Sequence, residues 1–358
     1  MSSNKICLIA GSPLSVAPYV KRYMRLLDDH GISYDVIYKD SAASADRRLS
    51  NEYVFYYKRV SSPIGKIGRF DAYRRFIRQT VKKNNYQKVV VFTAESAILS
   101  FEILNRKKDQ IEYILDLRDY SSFLSKPFLM RVFRKALYGA NFAVLSSRGF
   151  KKWLPDDVRY YLMHNMPVYS VPVQTTPQFG KKVCIGYLGG IGYFESNKAI
   201  ADSVGNDPNY ELLYAGTYPA GYNIKDYCKD QSIENAVFLG KYNDAEKSKI
   251  YAGVDLINAV YANDSLTVTT ALPNKLYDSA YYKIPIMVCE GTYLAEVVKE
   301  YNLGFAVDPQ KDCIREMIAQ YVDSFDAEKF VSGCRRLIDR SGKELSEAED
   351  AVLSFLNR

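Results

Sequence analysis

At 358 residues, 47% of them hydrophobic, the chain is long enough for two ordinary cores and large for a single continuous one. No apolar run reaches the roughly 18 residues that span a bilayer, and residues 1–10 are too short and too soon interrupted for a signal peptide, so an intracellular chain is expected. The net charge of +7 is uneven: residues 1–175 carry 29 Lys and Arg against 15 Asp and Glu (+14), residues 176–358 carry 19 against 26 (−7).

The opening residues read as a βαβ unit. Residues 5–10 are a short apolar strand, Gly11-Ser12-Pro13 a turn, residues 16–30 a helix ending before Gly31, and residues 34–38 a second strand. In the stretch from Lys58 to Lys88, Arg69, Arg74, Arg75, Arg78, Lys82 and Lys83 interleave with Phe70, Tyr73, Phe76, Ile77 and Val81 at the spacing of an amphipathic basic helix. Such a helix can be a solvated face, a contact for an anionic membrane surface or a nucleic-acid contact. No nucleic-acid signature accompanies it, so no nucleic acid is expected. Residues 87–93, 112–117 and 142–146 supply further strands between helical stretches, which predicts a parallel sheet covered on both faces.

A polar, proline-rich stretch at residues 165–177 reads as a linker, after which the pattern restarts. Strands are predicted at 183–188, 211–215, 236–239, 256–260, 286–288 and 305–307, with a helix from about residue 197. The expected fold class is α/β: two doubly wound Rossmann-like domains facing across a cleft, residues 1–172 and 173–340, followed by a helix over 341–358.

Ligands of doubly wound sheets sit outside the carboxyl ends of the strands. Gly189-Gly190-Ile191-Gly192 follows the first strand of the second half and either lets backbone approach a diphosphate or makes a tight strand-to-helix turn. Gly216-Thr217 and Gly240 with Tyr242 hold equivalent places after later strands. Leu272-Pro273-Asn274-Lys275-Leu276-Tyr277-Asp278 is the most informative run. Pro273 suits a first helical position, the free N–H groups of that turn can hold an anion, and Lys275 adds a positive charge. Asp278, one turn on, can accept hydrogen bonds from ribose hydroxyls, while Leu276 faces the core. A phosphate and a ribose belong to one ligand, a nucleotide.

The run from Pro273 to Asp278, with Lys283-Ile284-Pro285 and Gly304-Phe305-Ala306-Val307-Asp308-Pro309 downstream, resembles the donor site of GT-B glycosyltransferases of family 4, the kind that build bacterial surface polysaccharides. The resemblance extends over nearly the whole chain, through the glycine turn after the first strand, Leu117-Arg118-Asp119 and Val144-Leu145-Ser146-Ser147. It implies an N-terminal acceptor domain, a C-terminal nucleotide-sugar domain, UDP as the default donor nucleotide, and retention of configuration without a metal. It also implies that the last helix, with Leu345, Ala348, Val352, Phe355 and Leu356 at helical spacing, packs back towards the N-terminal domain. Two positions depart from the family pattern. Of its spaced pair of acidic residues the second falls on Asp278 and the first on Thr270, which carries no charge; a charged hydrogen bond lost there is worth roughly 1.5 to 3 kcal/mol. The basic residue expected after the first glycine is Gly190, leaving Lys275, and after it Lys198, to supply positive charge.

Breaking a glycosyl phosphate builds negative charge on the departing diphosphate, so helix-start amides and Lys275 are the expected stabilising groups. Arg118 and Asp119 complete the catalytic set from the acceptor side, with Ser12, Ser15 and His164 beside them; Asp119 reads equally as a helix cap and His164 as a structural histidine. Six cysteines without a CxxC pair read as reduced core residues, and two histidines with no acidic cluster of ligand spacing predict no metal. The expectation is a hexosyltransferase carrying sugar from a UDP-sugar to a glycan or lipid-linked acceptor at the cytoplasmic face of a membrane, with no protein-bound cofactor. Two alternatives stay open, a catalytically silent GT-B-like partner of an active transferase and a nucleotide-sugar epimerase of related fold. No GxGxxG follows the first strand, where residues 11–16 read Gly-Ser-Pro-Leu-Ser-Val, which argues against an NAD-dependent dehydrogenase.

Overall fold

The computed structural model describes residues 5–41, 50–58, 62–105, 111–167 and 178–357. The chain divides into two compact units, one of residues 1–164 with 344–358 and one of residues 165–343. The domain boundary expected at 172/173 lies outside the described residues.

In the first unit, strands β1 (Ile6–Ile9), β2 (Tyr34–Asp40), β3 (Glu52–Tyr56), β4 (Lys88–Phe92), β5 (Glu112–Leu117), β6 (Ala143–Leu145) and β7 (Tyr160–Leu162) form one parallel sheet in the order β3-β2-β1-β4-β5-β6-β7. The central strands β1 and β4 are buried along their whole length, which is why their sequences are unbroken apolar runs apart from Lys88. Lys88 is itself buried and donates to the Phe355 carbonyl at 2.6 Å. The strand order reverses between β1 and β4, the switch point where ligands of such sheets gather. Two strands were absent from the sequence expectation, β3 and β7, and both are sheet edges: their residues are half-buried or exposed, so neither a continuous apolar run nor a clean alternation marks them.

The second unit repeats the winding. Strands β8 (Val183–Gly190), β9 (Tyr210–Thr217), β10 (Ala236–Gly240), β11 (Leu256–Ala259), β12 (Ile286–Cys289) and β13 (Gly304–Val307) run parallel in the order β10-β9-β8-β11-β12-β13. The helix expected from about residue 197 starts earlier, at Phe194, because Tyr193 takes a left-handed conformation and turns the chain there. A single helix, Ala327–Asn357, runs through the division between the units. Beyond residue 344 it buries Ala348, Val352, Phe355 and Leu356 in the first unit's core with Val20, Tyr23 and Phe142.

The basic stretch forms the helix Pro63–Asn84, capped by Ser62, whose hydroxyl accepts from the Gly65 amide at 3.1 Å. Its arginines are largely neutralised: Arg74 and Arg75 pair with Asp71, and Arg74 and Arg78 with Glu102 of the neighbouring helix Ala94–Leu104. Of the cysteines, Cys7, Cys184, Cys228, Cys289 and Cys334 are buried free thiols, whereas Cys313 is exposed, contrary to its expected place in the core. Among the described residues, no helix is long and apolar enough to cross a membrane.

Candidate functional site

In the second unit the strand ends β8 and β9 meet at paired glycines. Gly189 stands opposite Gly216, and Gly190 opposite Thr217. Gly216 has φ +148°, and a Cβ there would lie 1.7 Å from the Gly189 carbonyl oxygen, so no side chain fits. Around Gly190 and Gly192, by contrast, a Cβ would meet nothing within 4 Å, so the backbone of that turn is approachable.

One buried polar network ties this turn to the run from Leu272 to Asp278. Asn197 Nδ2 donates to the carbonyls of Gly192 at 2.8 Å and Tyr193 at 3.1 Å, and Asn258 Nδ2 donates to Asn197 Oδ1 at 3.0 Å. The amide of Val260 donates to Asn258 Oδ1 at 3.0 Å, and Lys275 Nζ donates to the Asn258 carbonyl at 2.9 Å. Lys275 is only 6% exposed and its Nζ lies 3.0 Å from the centroid of the Tyr187 ring. Burial, partly opposed by the charge of Asp278, pushes its pKa well below the ordinary lysine value. Lys275 was expected to offer charge to a phosphate; its amine is instead turned inward, holding the helix start against the end of β11.

That helix is Asn274–Tyr282. Pro273 is its N-cap rather than its first helical residue, with extended ψ of 159°, and the Leu276 amide donates to the Pro273 carbonyl at 3.1 Å. Leu272 and Leu276 are core residues. Thr270 is fully buried and donates its hydroxyl hydrogen to the Leu266 carbonyl at 2.5 Å. Asp278 is 2% exposed, and both carboxylate oxygens are engaged: Lys247 Nζ donates to Oδ1 at 2.7 Å and Tyr251 Oη to Oδ2 at 3.1 Å. Tyr242, after Gly240 at the end of β10, is close enough to feel that charge: burial and then Asp278 push its hydroxyl pKa up to about 12. Lys198 is paired with Asp202 at 2.7 Å.

The first unit carries a second cluster at its strand ends. Arg118, 4% exposed, forms a bidentate pair with fully buried Asp116 through Nε to Oδ1 and Nη2 to Oδ2, and its Nη1 donates to the Met163 carbonyl at 2.9 Å. Tyr23 donates to Asp116 Oδ2 at 2.7 Å. Burial works against the guanidinium charge, but Asp116 outweighs it and holds the pKa above the ordinary arginine value. Tyr19 lies beneath Arg118, 5.4 Å from ring centroid to guanidinium carbon, and shares a hydrogen bond of 3.3 Å with Ser12. Asp119 exposes its side chain, yet the protein crowding its carboxyl desolvates it enough to raise its pKa to about 6, with Arg118 opposing. Ser15 is exposed in the 3-10 turn Leu14–Val16. His164 is buried and bonded to Glu344 at 2.7 Å, and Glu344 also pairs with Arg148.

No protein-family model and no curated protein matches the sequence. Solved structures do match the fold. A sucrose-phosphate synthase from Thermosynechococcus elongatus superposes with a TM-score of 0.73 at 12% identity, over 99% of this chain and 98% of that one. HepE of Anabaena, in complex with UDP and glucose, gives 0.68 at 13% identity over 98% and 99%. The lipopolysaccharide outer core galactosyltransferase WaaB gives 0.67 at 14% identity over 98% and 99%. The chain has the GT-B fold. At these identities the likeness establishes a fold and leaves function to the site.

Within this GT-B chain, the two sheets bring the expected residues into two groups. Gly189, Gly190, Gly216 and Thr217 are in register, Lys275 is wired to the same turn, and Asp278 lies near Tyr242. Ser12 and Arg118 meet on Tyr19, while Ser15 joins no cluster and His164 binds Glu344. Sequence reasoning missed Asp116, Asn197, Lys247 and Asn258. A signal existed for Asp116 and Asn258, each a polar residue inside an apolar strand; nothing in the order of residues marks Lys247. Among the described residues, no group of three or more His, Cys, Asp or Glu could hold a metal ion.

Proposed function

We propose that the chain is a glycosyltransferase that moves a sugar from a nucleoside-diphosphate donor, a UDP-sugar, to a glycan or lipid-linked acceptor in cell-surface polysaccharide synthesis. The observation that carries this reading is the convergence of the Gly189–Gly192 turn, the start of the helix Asn274–Tyr282 and Asp278 at the strand ends of one unit, in a fold shared with HepE bound to UDP and glucose. The second unit is the donor domain and the first the acceptor domain.

In the proposed reaction the bond from the sugar's anomeric carbon to the diphosphate oxygen breaks and a bond to the acceptor oxygen forms on the same face. The acceptor's proton passes to the departing diphosphate. Backbone amides of the glycine turn and of Asn274 and Lys275 stabilise the leaving charge, and Lys275 acts by fixing those amides. Gly240 and Tyr242 flank the base, and Asp278 takes the ribose. Thr270, buried with its hydroxyl donating to the Leu266 carbonyl, stands where the family carries an acid and brings no charge to the sugar side. On the acceptor side, Asp119 accepts a hydrogen bond from the acceptor hydroxyl, Arg118 is the pinned scaffold beside it, and Ser12 and Ser15 line the approach. No protein-bound cofactor or metal takes part in this scheme.

A cytoplasmic protein peripheral to an anionic membrane fits the basic first half, but through different residues than the paired Arg74, Arg75 and Arg78. Ile64 and Ile67 are 84% and 69% exposed on the first turns of the helix Pro63–Asn84, beside exposed Lys66. Flotation with anionic liposomes should fall when Ile64 and Ile67 are changed to Ser; flotation indifferent to both that change and lipid charge removes the membrane from the scheme.

The reading as a transferase is tested by calorimetric titration with UDP, GDP, CMP and NAD and their sugar conjugates, followed by turnover with an acceptor extract. One nucleoside diphosphate should bind, and the Gly192→Ala and Asp278→Ala proteins should lose it. A second reading, a catalytically silent partner of an active transferase, draws on Thr270 in place of an acid and on the inward amine of Lys275; nucleotide binding without turnover would favour it.

A further inference from the structure

Asp278 is the group assigned above to the ribose, yet nothing can reach it as the side chains stand. Its carboxylate is covered by Tyr251 on one oxygen and Lys247 on the other. Tyr251 is 1% exposed and belongs to the core, packed at a tilt against Tyr282 with ring centroids 4.8 Å apart. Lys247 is different. It opens the short helix Lys247–Tyr251 at the surface, its side chain 16% exposed, following a turn that Asn243 and Glu246 close with reciprocal bonds of 2.8 and 3.1 Å between side chain and amide. The turn is fixed and the lysine stem, with four rotatable bonds, is the movable part.

We propose that Lys247 is a displaceable latch over the ribose site, which makes recognition of the ribose conditional on the phosphates attached to it. This rests on the donor-site reading and names the residue that enforces its selectivity. A ribose diol can bind Asp278 only by displacing the ammonium, and an ammonium displaced without a new anion loses its partner. A diphosphate supplies that anion. Asp278 is four residues, about 6 Å of helical rise, from Asn274 at the helix start, so a lysine tethered at Asp278 is within reach of a diphosphate held there. Lys275 cannot serve, since its amine is buried on Tyr187 and Asn258. Lys198 is on another helix, Phe194–Val204, directed to Asp202 and the Tyr227 ring, and among the described residues no contact ties it to Asp278. A nucleoside, carrying no anion, meets the closed latch; a nucleoside diphosphate exchanges one ion pair for another.

The test compares UDP with uridine, and GDP with guanosine, by calorimetry on the full chain. The wild type should prefer the diphosphate over its nucleoside by at least about tenfold, the value of one charged hydrogen bond. Lys247→Met should collapse that preference, weakening the diphosphate and strengthening the nucleoside. Lys247→Arg should keep the preference, and Lys249→Met, which removes a charge from the same short helix, should leave it unchanged. A Lys247→Met protein that is folded and binds both ligands with an unaltered ratio overturns the latch while the donor site stands. A wild type that binds no nucleoside diphosphate overturns both.

Discussion

Lys275 sets its side-chain nitrogen 3.0 Å from the centroid of the Tyr187 ring, inside the second unit, where the sequence pattern would have it face solvent and phosphate. The pair is sealed from water, with Lys275 at 6% and Tyr187 at 2% exposure, and its energetics follow from that burial.

The folded pKa of Lys275 is depressed below the ordinary 10.5, so between the folded value and 10.5 the unfolded chain binds more protons and wild-type stability rises with pH. Lys275→Met removes this dependence. Urea denaturation of both proteins across neutral to alkaline pH should show the variant's relative stability decreasing steadily as pH approaches 10.5. Parallel curves would mean that the amine is not displaced from its ordinary titration.

Gly216→Ala places a Cβ 1.7 Å from the Gly189 carbonyl oxygen at φ +148°, and the variant should lose about 3 kcal/mol or more. Gly192→Ala adds a methyl to open space and should melt with the wild type. The two therefore separate fold from function: weakened nucleotide binding in a fully stable Gly192→Ala protein identifies the turn as ligand-facing, and unchanged binding denies it that role.

Asp119 has a folded pKa near 6, raised from an ordinary 3.8. A carboxyl with a raised folded pKa contributes stability at low pH that is lost as pH climbs from about 4 to 6, because the native state holds its proton longer. Asp119→Asn should flatten the wild-type stability profile in that window. If Asp119 receives the acceptor hydroxyl as a carboxylate, kcat/KM of the wild type rises through pH 6 and the variant loses that limb. A limb that persists in the variant assigns it to another group.

Asp116→Asn leaves the buried Arg118 guanidinium without its counter-charge and should cost about 3 to 5 kcal/mol. The double variant Asp116→Leu with Arg118→Met removes both charges together and should regain most of that loss. A double variant as unstable as the single one would show that Tyr23 and the Met163 carbonyl, which lose their partners in it, carry the cost.

Much of this molecule is legible in its residues, for reasons visible in the strands themselves. The central strands β1, β4 and β8 are apolar, Lys88 apart, because parallel strands are covered on both faces, and the glycines that end β8 and the helix after Pro273 announce themselves by residue type. The edges β3 and β7 do not, since half-buried backbone places weak demands on side chains. The direction of Lys275 was equally hidden: helical spacing gives the face it occupies, while the decision to turn inward belongs to Tyr187 and Asn258, far away in sequence. Likewise the partner of Arg74 at Asp71 follows from helical spacing, but Glu102, shared with Arg78, comes from another helix. Lys247 and Asp278 are 31 residues apart and meet only because a short turn ends where it does.

The first unit is assembled from segments on either side of the second, and this constrains the order of folding during synthesis. While the ribosome is still producing residues 165–343, the sheet from β1 to β7 already exists as chain but lacks Ala348, Val352, Phe355 and Leu356. The second unit, contiguous in sequence, can close its core during translation; the first cannot until residues beyond 344 have emerged, and for roughly 180 residues of synthesis, about 10 to 40 seconds at ordinary ribosomal speeds, it carries an open apolar groove. Its exposure to chaperones and to aggregation is therefore set by the time it takes to make its neighbour.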